Sequence, residues 1–245
     1  MNAHFKLILG ILTMVLSSCQ SGPDLKDYYF PMNALQEGLV YEYSAVGDSE
    51  QPPHSWFYKS HTENGNQFLS GQYYNASGAV EQFTLEEITA ARTLAREYRL
   101  ISYDSTGRMK VADLKLIKNQ IYPFGKPNPN TIERFKISWS DPIETQYTNE
   151  LNRGRVFKQF TPCSYQGKEV DCAEFVMVEN IEVEKKNDGV QTLETTTKEL
   201  YAKGIGLVYY QKKIGDNTAY TYELTDRISM IDFAKRYKDA FEKEY

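Results

Sequence analysis

The side chains that most often catalyse reactions or bind metals are few in this chain and poorly spaced for either purpose. Beyond residue 18 there are two histidines, His54 and His61, and their odd spacing across a predicted strand directs them to opposite faces. The His-Glu-x-x-His pattern of zinc enzymes is absent. Glu86 and Glu87 have the character of solvated surface carboxylates. Without a Gly-x-Ser-x-Gly elbow or a cysteine–histidine nucleophile pair, we expect a protein that is not an enzyme and has no metal or cofactor.

A pair of glycines, Gly204 and Gly206, invites comparison with a phosphate-binding loop. Such a loop requires a third glycine and a following helix whose N-terminus holds the anion. Here the next residues, Leu207-Val-Tyr-Tyr210, have strand character instead. The glycines therefore predict a bulge or a tight turn rather than a nucleotide site.

The first nineteen residues have the organisation of a bacterial export signal. A short start with one cation, Lys6, precedes an apolar run over residues 7–16 that is too short to span a bilayer. The ending Leu16-Ser17-Ser18-Cys19 resembles the lipobox of bacterial lipoproteins. The resemblance implies that residues 1–18 are a signal peptide and that Cys19 receives the lipid, with palmitate among its acyl chains. The alternative is an ordinary signal that is cleaved elsewhere.

A lipidated Cys19 leaves one pair of cysteines, Cys163 and Cys172, in an oxidising compartment. The residues between them are typical of a hairpin with Gly167 and Lys168 as a two-residue type II′ turn. Pairing outward from that turn places Cys163 directly opposite Cys172, where Cα atoms are about 4.5 Å apart. We predict a structural disulfide. The alternative is a redox role, but the two cysteines lack the Cys-x-x-Cys spacing that lowers a thiol pKa.

Composition narrows the class of protein further. The 227 residues from Cys19 onward fit one large β domain or two small ones, and 41% hydrophobic residues can build a core. The net charge of −5 becomes −6 without Lys6, which argues against nucleic acid as a partner. We expect a short tether over residues 19–27 and a single β-rich envelope domain over residues 28–245.

Strand signals repeat about every ten residues through most of this domain, the rhythm of an antiparallel sheet. Asn64-Gly65 is a strong hairpin signal between two strands. Residues 81–100 are ambiguous, because a capping box at Thr84 favours helix while the alternating apolar residues favour two strands. We prefer the two strands, joined near residues 89–92. After Ser229, an apolar stripe at helical spacing predicts an amphipathic helix over residues 230–245 that packs on the sheet.

Aromatic residues are abundant, with 19 Tyr, 12 Phe and 2 Trp, and they favour strands and also line ligand clefts. The loop over residues 122–130 contains three prolines and is the expected rim or lid of a cleft. Ser105, in an Asp-Ser-Thr sequence, is a candidate O-glycosylation site, although a simple turn explains the same residues. The candidate ligand-lining residues are Tyr41, Tyr43, Trp56, Tyr58, Trp139 and Tyr209.

The segment Tyr201-Ala-Lys-Gly-Ile-Gly-Leu-Val208 resembles a Tyr-Ala-x-Gly-Val-Gly-Leu-Val strand found in many envelope lipoproteins. Together with the lipobox and the strand rhythm, it makes the chain similar to uncharacterised, TapB-like lipoproteins and to the half-barrel carriers LolA and LolB. The resemblance implies a mainly β fold: a single curved antiparallel sheet, forming an open half-barrel, with a C-terminal amphipathic helix.

Two functions from different classes stay open at this point. In the first, a lipid-anchored protein of the cell envelope, in the outer membrane of a Gram-negative bacterium, binds a lipid or other apolar ligand on the concave face. In the second, the protein is a structural or assembly accessory that docks other envelope proteins through its sheet edge or helix. A filled core and an exposed apolar patch would favour the second function.

Overall fold

The computed structural model describes residues 22–47, 51–186, 188–215 and 218–241, with side chains up to residue 238. The predicted signal peptide of residues 1–18 and the predicted lipidation site at Cys19 lie outside the described residues. The strands, numbered in chain order, are β1 (Leu39–Ala45), β2 (His54–Glu63), β3 (Asn66–Tyr74), β4 (Val80–Ile88), β5 (Arg92–Tyr103), β6 (Met109–Val111), β7 (Leu114–Pro123), β8 (Ile132–Ser140), β9 (Tyr147–Tyr165), β10 (Lys168–Lys185), β11 (Gly189–Ala202), β12 (Gly206–Ile214) and β13 (Thr218–Ile228).

Twelve of these strands form a closed antiparallel barrel. Neighbours in sequence are neighbours in space along most of the ring, and β1 pairs with β13 to join the two ends of the chain. On the opposite side β5 pairs with both β4 and β7, which completes the ring. The short strand β6 is an additional hairpin partner of β5. The structure is therefore mainly β, as the sequence predicts.

The prediction of an open half-barrel is wrong, and the pairings of β5 are the reason. At one end of β5, Arg92 and Thr93 lie opposite Pro123 and Tyr122 of β7, while its central residues pair with β4. Without the β5–β7 contact, two strands would keep a row of unpaired backbone N–H and C=O groups. Closure satisfies these groups, and it also converts the expected concave face into an enclosed interior.

The ambiguous segment at residues 81–100 is β, as its alternating apolar residues predict. It forms most of β4 and β5, joined by a turn in which the backbone N–H of Thr89 donates to the carbonyl of Arg92. The Asn64-Gly65 hairpin is also confirmed, with φ values of 50° and 81° at the two turn residues. Both φ values suit a type I′ turn.

One end of the barrel is closed by a plug, which we define as residues 24–35. Two 3-10 helices, Leu25–Tyr28 and Met32–Leu35, and the link between them place five large apolar side chains in the core. The backbone of Leu25 is hydrogen-bonded to the carbonyl of Gly125, and that carbonyl belongs to the loop after β7. The end of the predicted tether, residues 24–27, is therefore packed on the barrel and belongs to the folded domain. The buried plug residues are Leu25, Tyr28, Tyr29, Phe30 and Leu35.

The C-terminal helix α1 (Met230–Phe241) covers the outer surface of β1 and β3, as expected from its apolar stripe. The hydroxyl of Ser229 caps it by accepting a hydrogen bond of 3.1 Å from the N–H of Asp232. Phe233 is 1% exposed and packs with Val40 and Tyr74. Val40 points outward because side chains alternate along β1, whose neighbouring tyrosines point into the barrel. None of the helices in the described residues has the length and apolar character needed to cross a membrane.

The disulfide between Cys163 and Cys172 is present, but the predicted register of its hairpin is wrong. The turn consists of Gln166 and Gly167, both with positive φ, rather than Gly167 and Lys168. This one-residue shift of the turn places Cys163 opposite Val170, two residues from Cys172. The cysteines are thus diagonal neighbours on one face of the hairpin, with a Cα–Cα distance of 5.9 Å that a disulfide accommodates.

Candidate functional site

Midway along the barrel, the interior contains charged side chains where a core of apolar residues would be expected. The first pair is Arg155 on β9 and Glu199 on β11. The Arg155 guanidinium donates to both carboxylate oxygens, at 2.8 and 3.1 Å, and each side chain is 7% exposed. Burial alone would lower the pKa of Arg155, but the carboxylate of Glu199 outweighs that effect and raises it. The pair is therefore a buried ion pair.

A second group of paired charges lies one layer farther from the plug. Arg153 donates two hydrogen bonds to Glu179, of 2.9 and 2.7 Å, and Lys212 donates one of 2.8 Å to the other oxygen of the same carboxylate. Burial opposes ionisation of Glu179, yet the two cations lower its pKa to about 2. Arg153 and Arg155 are two residues apart on β9, so both side chains point inward.

Glu86 on β4 is different because no cation contacts it among the described residues. One of its oxygens, Oε2, accepts hydrogen bonds of 2.8 Å from the hydroxyls of Tyr29 and Thr93. Burial raises the pKa of Glu86, and the two hydroxyls only partly oppose this rise. The plug is thereby connected to the barrel interior through the Tyr29–Glu86 hydrogen bond.

The charges of this region balance. A fourth carboxylate, Glu133, is 1% exposed and lies 3.0 Å from the guanidinium of half-exposed Arg92. Burial raises the pKa of Glu133 and Arg92 opposes the rise. Four basic and four acidic side chains therefore face one another in the barrel, and we call them the charged belt. Its members are Arg92, Arg153, Arg155, Lys212, Glu86, Glu133, Glu179 and Glu199.

A cavity of about 210 Å³, which we call the chamber, lies between the charged belt and the plug. Two of its walls are aromatic: Trp56 and Tyr58 stack with their ring centroids 5.6 Å apart and their planes at 4°. Arg153 keeps 23% of its side-chain surface exposed, although it lies deep in the barrel, because it lines the chamber. The chamber wall also includes Gln82, Glu86, Tyr98 and Tyr201.

Several polar atoms of the chamber wall have no hydrogen-bond partner within the described part of the protein. They are Oε1 of Glu86 and the hydroxyls of Tyr58, Tyr98 and Tyr201, and all four residues line the chamber. Burial raises the pKa of each of these tyrosines, so all three hydroxyls stay protonated and can donate. Three donors and one carboxylate acceptor are therefore available to a molecule in the chamber.

The two ends of the chamber are closed differently. At the plug end, Tyr29 and Phe30 separate it from an outer pocket of about 420 Å³. At the other end, Gln82 lines both the chamber and a cavity of about 570 Å³ at the rim, which we call the mouth. The mouth also includes Trp139 and Tyr103. A small molecule would enter from the mouth, past Gln82, because the plug side chains fill the opposite side.

The predicted ligand-lining residues are distributed over three environments. Trp56 and Tyr58 are on the chamber wall, and Trp139 is at the mouth. Tyr41 and Tyr43 are buried in the core, and their hydroxyls donate to the backbone carbonyls of Ile205 and Leu207 at 2.8 and 2.9 Å. The last candidate, Tyr209, is half-buried and packs against the same core.

The remaining candidates from the sequence lie away from the chamber. Ser105 is exposed in a turn where Asp104 accepts hydrogen bonds from the backbone of Thr106 and Arg108. The loop after β7 lies at the plug end, so it is not a lid over the mouth. The glycines Gly204 and Gly206 form the tight turn between β11 and β12, as predicted, with φ values of 70° and 102°.

The two histidines are separated, as the sequence predicts. His54 is buried near the mouth end, stacks on Tyr43, and has its ring nitrogen 3.0 Å from the hydroxyl of Tyr210. Burial lowers the pKa of His54 to about 4, so it is neutral at pH 7. His61 is exposed. Within the described residues, no three His, Cys, Asp or Glu side chains converge in a way that would hold a metal ion.

Sequence reasoning missed the charged belt. Its residues occur at alternate positions of long polar strands, for example Arg153 and Arg155 on β9. Alternation tells which residues share a face, but both faces of these strands contain charges, and so the inward face was not identifiable. The length of β9, β10 and β11 was the other available signal of an enclosed interior. These strands are longer than those of a small sheet at a protein surface.

Comparison with known proteins is informative about the fold. No protein-family model matches the chain, and no curated protein matches it. Among solved structures, a "putative lipoprotein" from Parabacteroides distasonis is 15% identical, with a TM-score of 0.51 over 82% of this chain and 95% of that one. A "putative exported protein with YmcC-like fold" from Bacteroides fragilis is 14% identical, with a TM-score of 0.52 over 80% and 96% of the two chains. These similarities establish a shared fold across nearly the full length of both relatives.

Proposed function

We propose that this protein is a non-catalytic lipoprotein of the bacterial cell envelope, anchored through Cys19, whose barrel binds a small polar molecule in the chamber. The observation that carries the ligand-binding part is the set of four polar atoms on the chamber wall that have no partner within the described protein. Polar atoms that face a cavity and have no protein partner are normally hydrogen-bonded to water or to a ligand.

The anchoring part of the proposal is supported by the lipobox and by the names of the two relatives with the same fold. One is called a lipoprotein and the other an exported protein, which agrees with a place in the cell envelope. We place this protein in the outer membrane of a Gram-negative bacterium and expect the membrane, but no nucleic acid, as a partner.

The anchor would also orient the barrel. Five residues lie between Cys19 and the buried Leu25, and the six steps from Cys19 to Leu25 can reach at most about 20 Å. The plug end would therefore lie close to the membrane surface, and the mouth would face away from it. A ligand could then enter the chamber from the aqueous side.

The chamber modifies the expectation of a lipid or other apolar ligand. Its volume of about 210 Å³ is below the roughly 300–1,000 Å³ of sites for drug-sized ligands. Charged side chains line it, and an acyl chain would leave Oε1 of Glu86 and the wall tyrosine hydroxyls without partners. A small polar molecule fits both the size and the chemistry better.

One observation favours the alternative function of docking other envelope proteins. Beside the mouth, Met109 and Val111 on β6 are 60% and 44% exposed, and Tyr103 lies opposite Met109 on β5. Neighbouring apolar side chains at a surface are typical of protein contacts. This strip would serve as the docking surface if the chamber holds only water.

Two measurements test the proposal. Intact mass and membrane fractionation of the full chain should show a lipidated, membrane-bound form that is lost in Cys19→Ala. A soluble, unmodified wild-type protein would contradict the anchor. Native mass spectrometry of the protein in mild detergent should then show a small additional mass that leaves on denaturation. A bare mass, unchanged after incubation with envelope extract, would contradict ligand binding and favour the docking alternative.

A further inference from the structure

We infer that the first part of strand β11, residues 189–194, is a docking site for an extended segment of a partner protein in which basic and apolar residues alternate. We call these residues the open edge. The chamber takes no part in this site, so the inference stands whether or not the chamber binds a ligand. Three features support it: an unpaired strand edge, the absence of the residues that normally protect such an edge, and the different character of the two sheet faces beside it.

The open edge exists because β11 extends beyond its neighbour β12. β11 pairs with β10 along its whole length, but β12 ends at Ile214, opposite Thr195. The chain then returns as β13, which pairs with the other side of β12. No described strand therefore lies beside residues 189–194 on the side away from β10. Backbone N–H and C=O groups of alternate residues point to that side, over a length of about 20 Å.

The open edge lies at the rim of the barrel, on the side of the mouth. The strand pairings place Gln191 in the same cross-strand row as Trp139, which lines the mouth. All six residues of the open edge are exposed. In the orientation that the anchor would impose, this rim faces away from the membrane and is accessible to other proteins of the envelope.

The open edge lacks the features that protect most exposed strands from pairing. Natural sheets protect an edge with lysine, proline, a bulge or a very short strand. Here the sequence is Gly-Val-Gln-Thr-Leu-Glu, and its register with β10 is continuous. Val190 is 57% exposed and Leu193 is 44% exposed. Such an edge can accept another strand, a mode of binding in which main-chain hydrogen bonds provide affinity and alternate side chains provide specificity.

The two faces of the sheet beside the open edge determine which side chains an added strand needs. On the outer face Glu182, Glu184 and Glu194 are exposed, and no ion pair in the described part of the chain involves them. On the inner face, Leu193 lies opposite Ile181, which packs against the apolar cluster inside the barrel. Side chains of an added strand alternate between these faces. Basic residues would therefore meet the carboxylates while apolar residues meet Leu193.

The same charges argue against a second copy of this chain as the occupant. Two open edges paired antiparallel would bring three exposed carboxylates from each copy onto one continuous outer face, where like charges repel. Of the lysines near this face, Lys185 is paired with Asp188, and Lys213 lies opposite Thr196, beyond the open edge. A partner strand that carries its own cations avoids this repulsion.

A strand-forming peptide tests the site directly. We would add a labelled, capped peptide of alternating lysine and valine to the full chain in mild detergent and follow binding by fluorescence anisotropy. One matched probe is an alternating glutamate–valine peptide. The other is the lysine–valine peptide with N-methylated amides, which keeps its charge but cannot donate main-chain hydrogen bonds. Amide hydrogen exchange across residues 189–194 shows where the peptide binds.

The lysine–valine peptide should bind saturably, at least tenfold more tightly than either matched probe, and should slow amide exchange within the open edge. Glu194→Lys should weaken that binding about tenfold, and Leu193→Ser should weaken it severalfold. Both side chains are exposed, so both variants should fold normally. The matched control is Glu63→Lys, the same change of charge at an exposed residue at the end of β2, which should leave the affinity unchanged.

The contrary results are distinct from one another. Equal binding of the N-methylated peptide would show that charge alone attracts the peptide, and it would overturn strand addition. Tighter binding of the glutamate–valine peptide would overturn the assigned partner chemistry, as would the failure of every peptide to bind. Slow exchange of the open edge in concentrated protein without peptide would assign this edge to a second copy instead. None of these results bears on the lipid anchor or on the chamber, which are tested separately.

Discussion

The guanidinium of Arg155 on β9 reaches across the intervening strand β10 to the carboxylate of Glu199 on β11. It donates hydrogen bonds of 2.8 and 3.1 Å over the side chain of Met177, its neighbour on β10. The same guanidinium also donates to the backbone carbonyl of Ile121 on β7. One side chain thus connects strands from separate parts of the ring. No local sequence signal predicts the closure of this barrel.

Removing one partner of this pair should destabilise the protein strongly. In Glu199→Ala the buried charge of Arg155 loses its counterion, and breaking a buried ion pair costs about 3–5 kcal/mol. Urea unfolding of the variant and the wild type measures this loss in the free energy of unfolding. The control is Lys198→Ala, which removes the half-exposed pair with Glu174 and should cost about 1 kcal/mol or less. Equal effects of the two substitutions would contradict the buried pair.

The plug should be sensitive to a single methyl group at Gly206. A Cβ built at this glycine would lie 2.6 Å from the ring of Phe30, which is buried among aromatic side chains. Gly206→Ala must therefore displace the plug, in addition to straining a backbone with φ of 102°. We expect a loss of about 2–4 kcal/mol from overpacking and strain together, with faster proteolysis of residues 24–35.

Gly204→Ala is the matched control for this substitution. It lies in the same turn with φ of 70°, but nothing is within 4 Å of a Cβ at this position. Only backbone strain of about 1–2 kcal/mol should remain, and the plug should stay protected from protease. If both variants release the plug equally, the Phe30 contact does not hold it in place.

Stability should fall with acidification because of His54. The unfolded state takes up a proton as the pH falls through the ordinary histidine pKa of 6.5, whereas the folded state resists until about pH 4. The stabilisation is therefore complete above pH 6.5 and is lost as the pH falls from 6.5 to 4, with a total of about 3 kcal/mol. Around the buried ring are the tyrosines Tyr43, Tyr73, Tyr210 and Tyr222.

Urea unfolding at several pH values between 4 and 7.5 tests this prediction. In His54→Gln the slope of the free energy of unfolding against pH should be smaller over that window than in the wild type. His61→Gln, which alters an exposed histidine, should keep the wild-type slope. A slope that is the same in all three proteins would show that His54 is not buried in its neutral form.

Reduction of the Cys163–Cys172 disulfide should have a moderate effect. The bridge joins residues nine apart, and the chain-entropy relation for so short a loop gives about 2–3 kcal/mol. The free energy of unfolding of wild type in reductant should match that of the double variant Cys163→Ala/Cys172→Ala without reductant. Reductant should have no effect on the double variant. If the reduced wild type were as stable as the oxidised one, the disulfide would not contribute to the free energy of unfolding.

The sequence by itself determined the features that depend on neighbouring residues. The Asn64-Gly65 hairpin, the cap of α1 at Ser229 and the two strands within residues 81–100 all follow from turn chemistry, capping and alternation over a few positions. The disulfide partners were identifiable because only two cysteines remain after Cys19. Their diagonal placement was not, since the turn could begin at Gln166 or at Gly167, and one residue changes every pairing along the hairpin.

Only the tertiary structure decided what lies inside the barrel. Closure depends on β5 pairing with β4 and β7, contacts between strands whose local patterns would equally suit an open sheet. The plug and the charged belt follow from closure, because an enclosed interior gives Tyr29 access to Glu86 and Arg155 access to Glu199. Alternation along a strand sorts side chains into two faces, but it is the ring of hydrogen-bonded strands that makes one of those faces the inside.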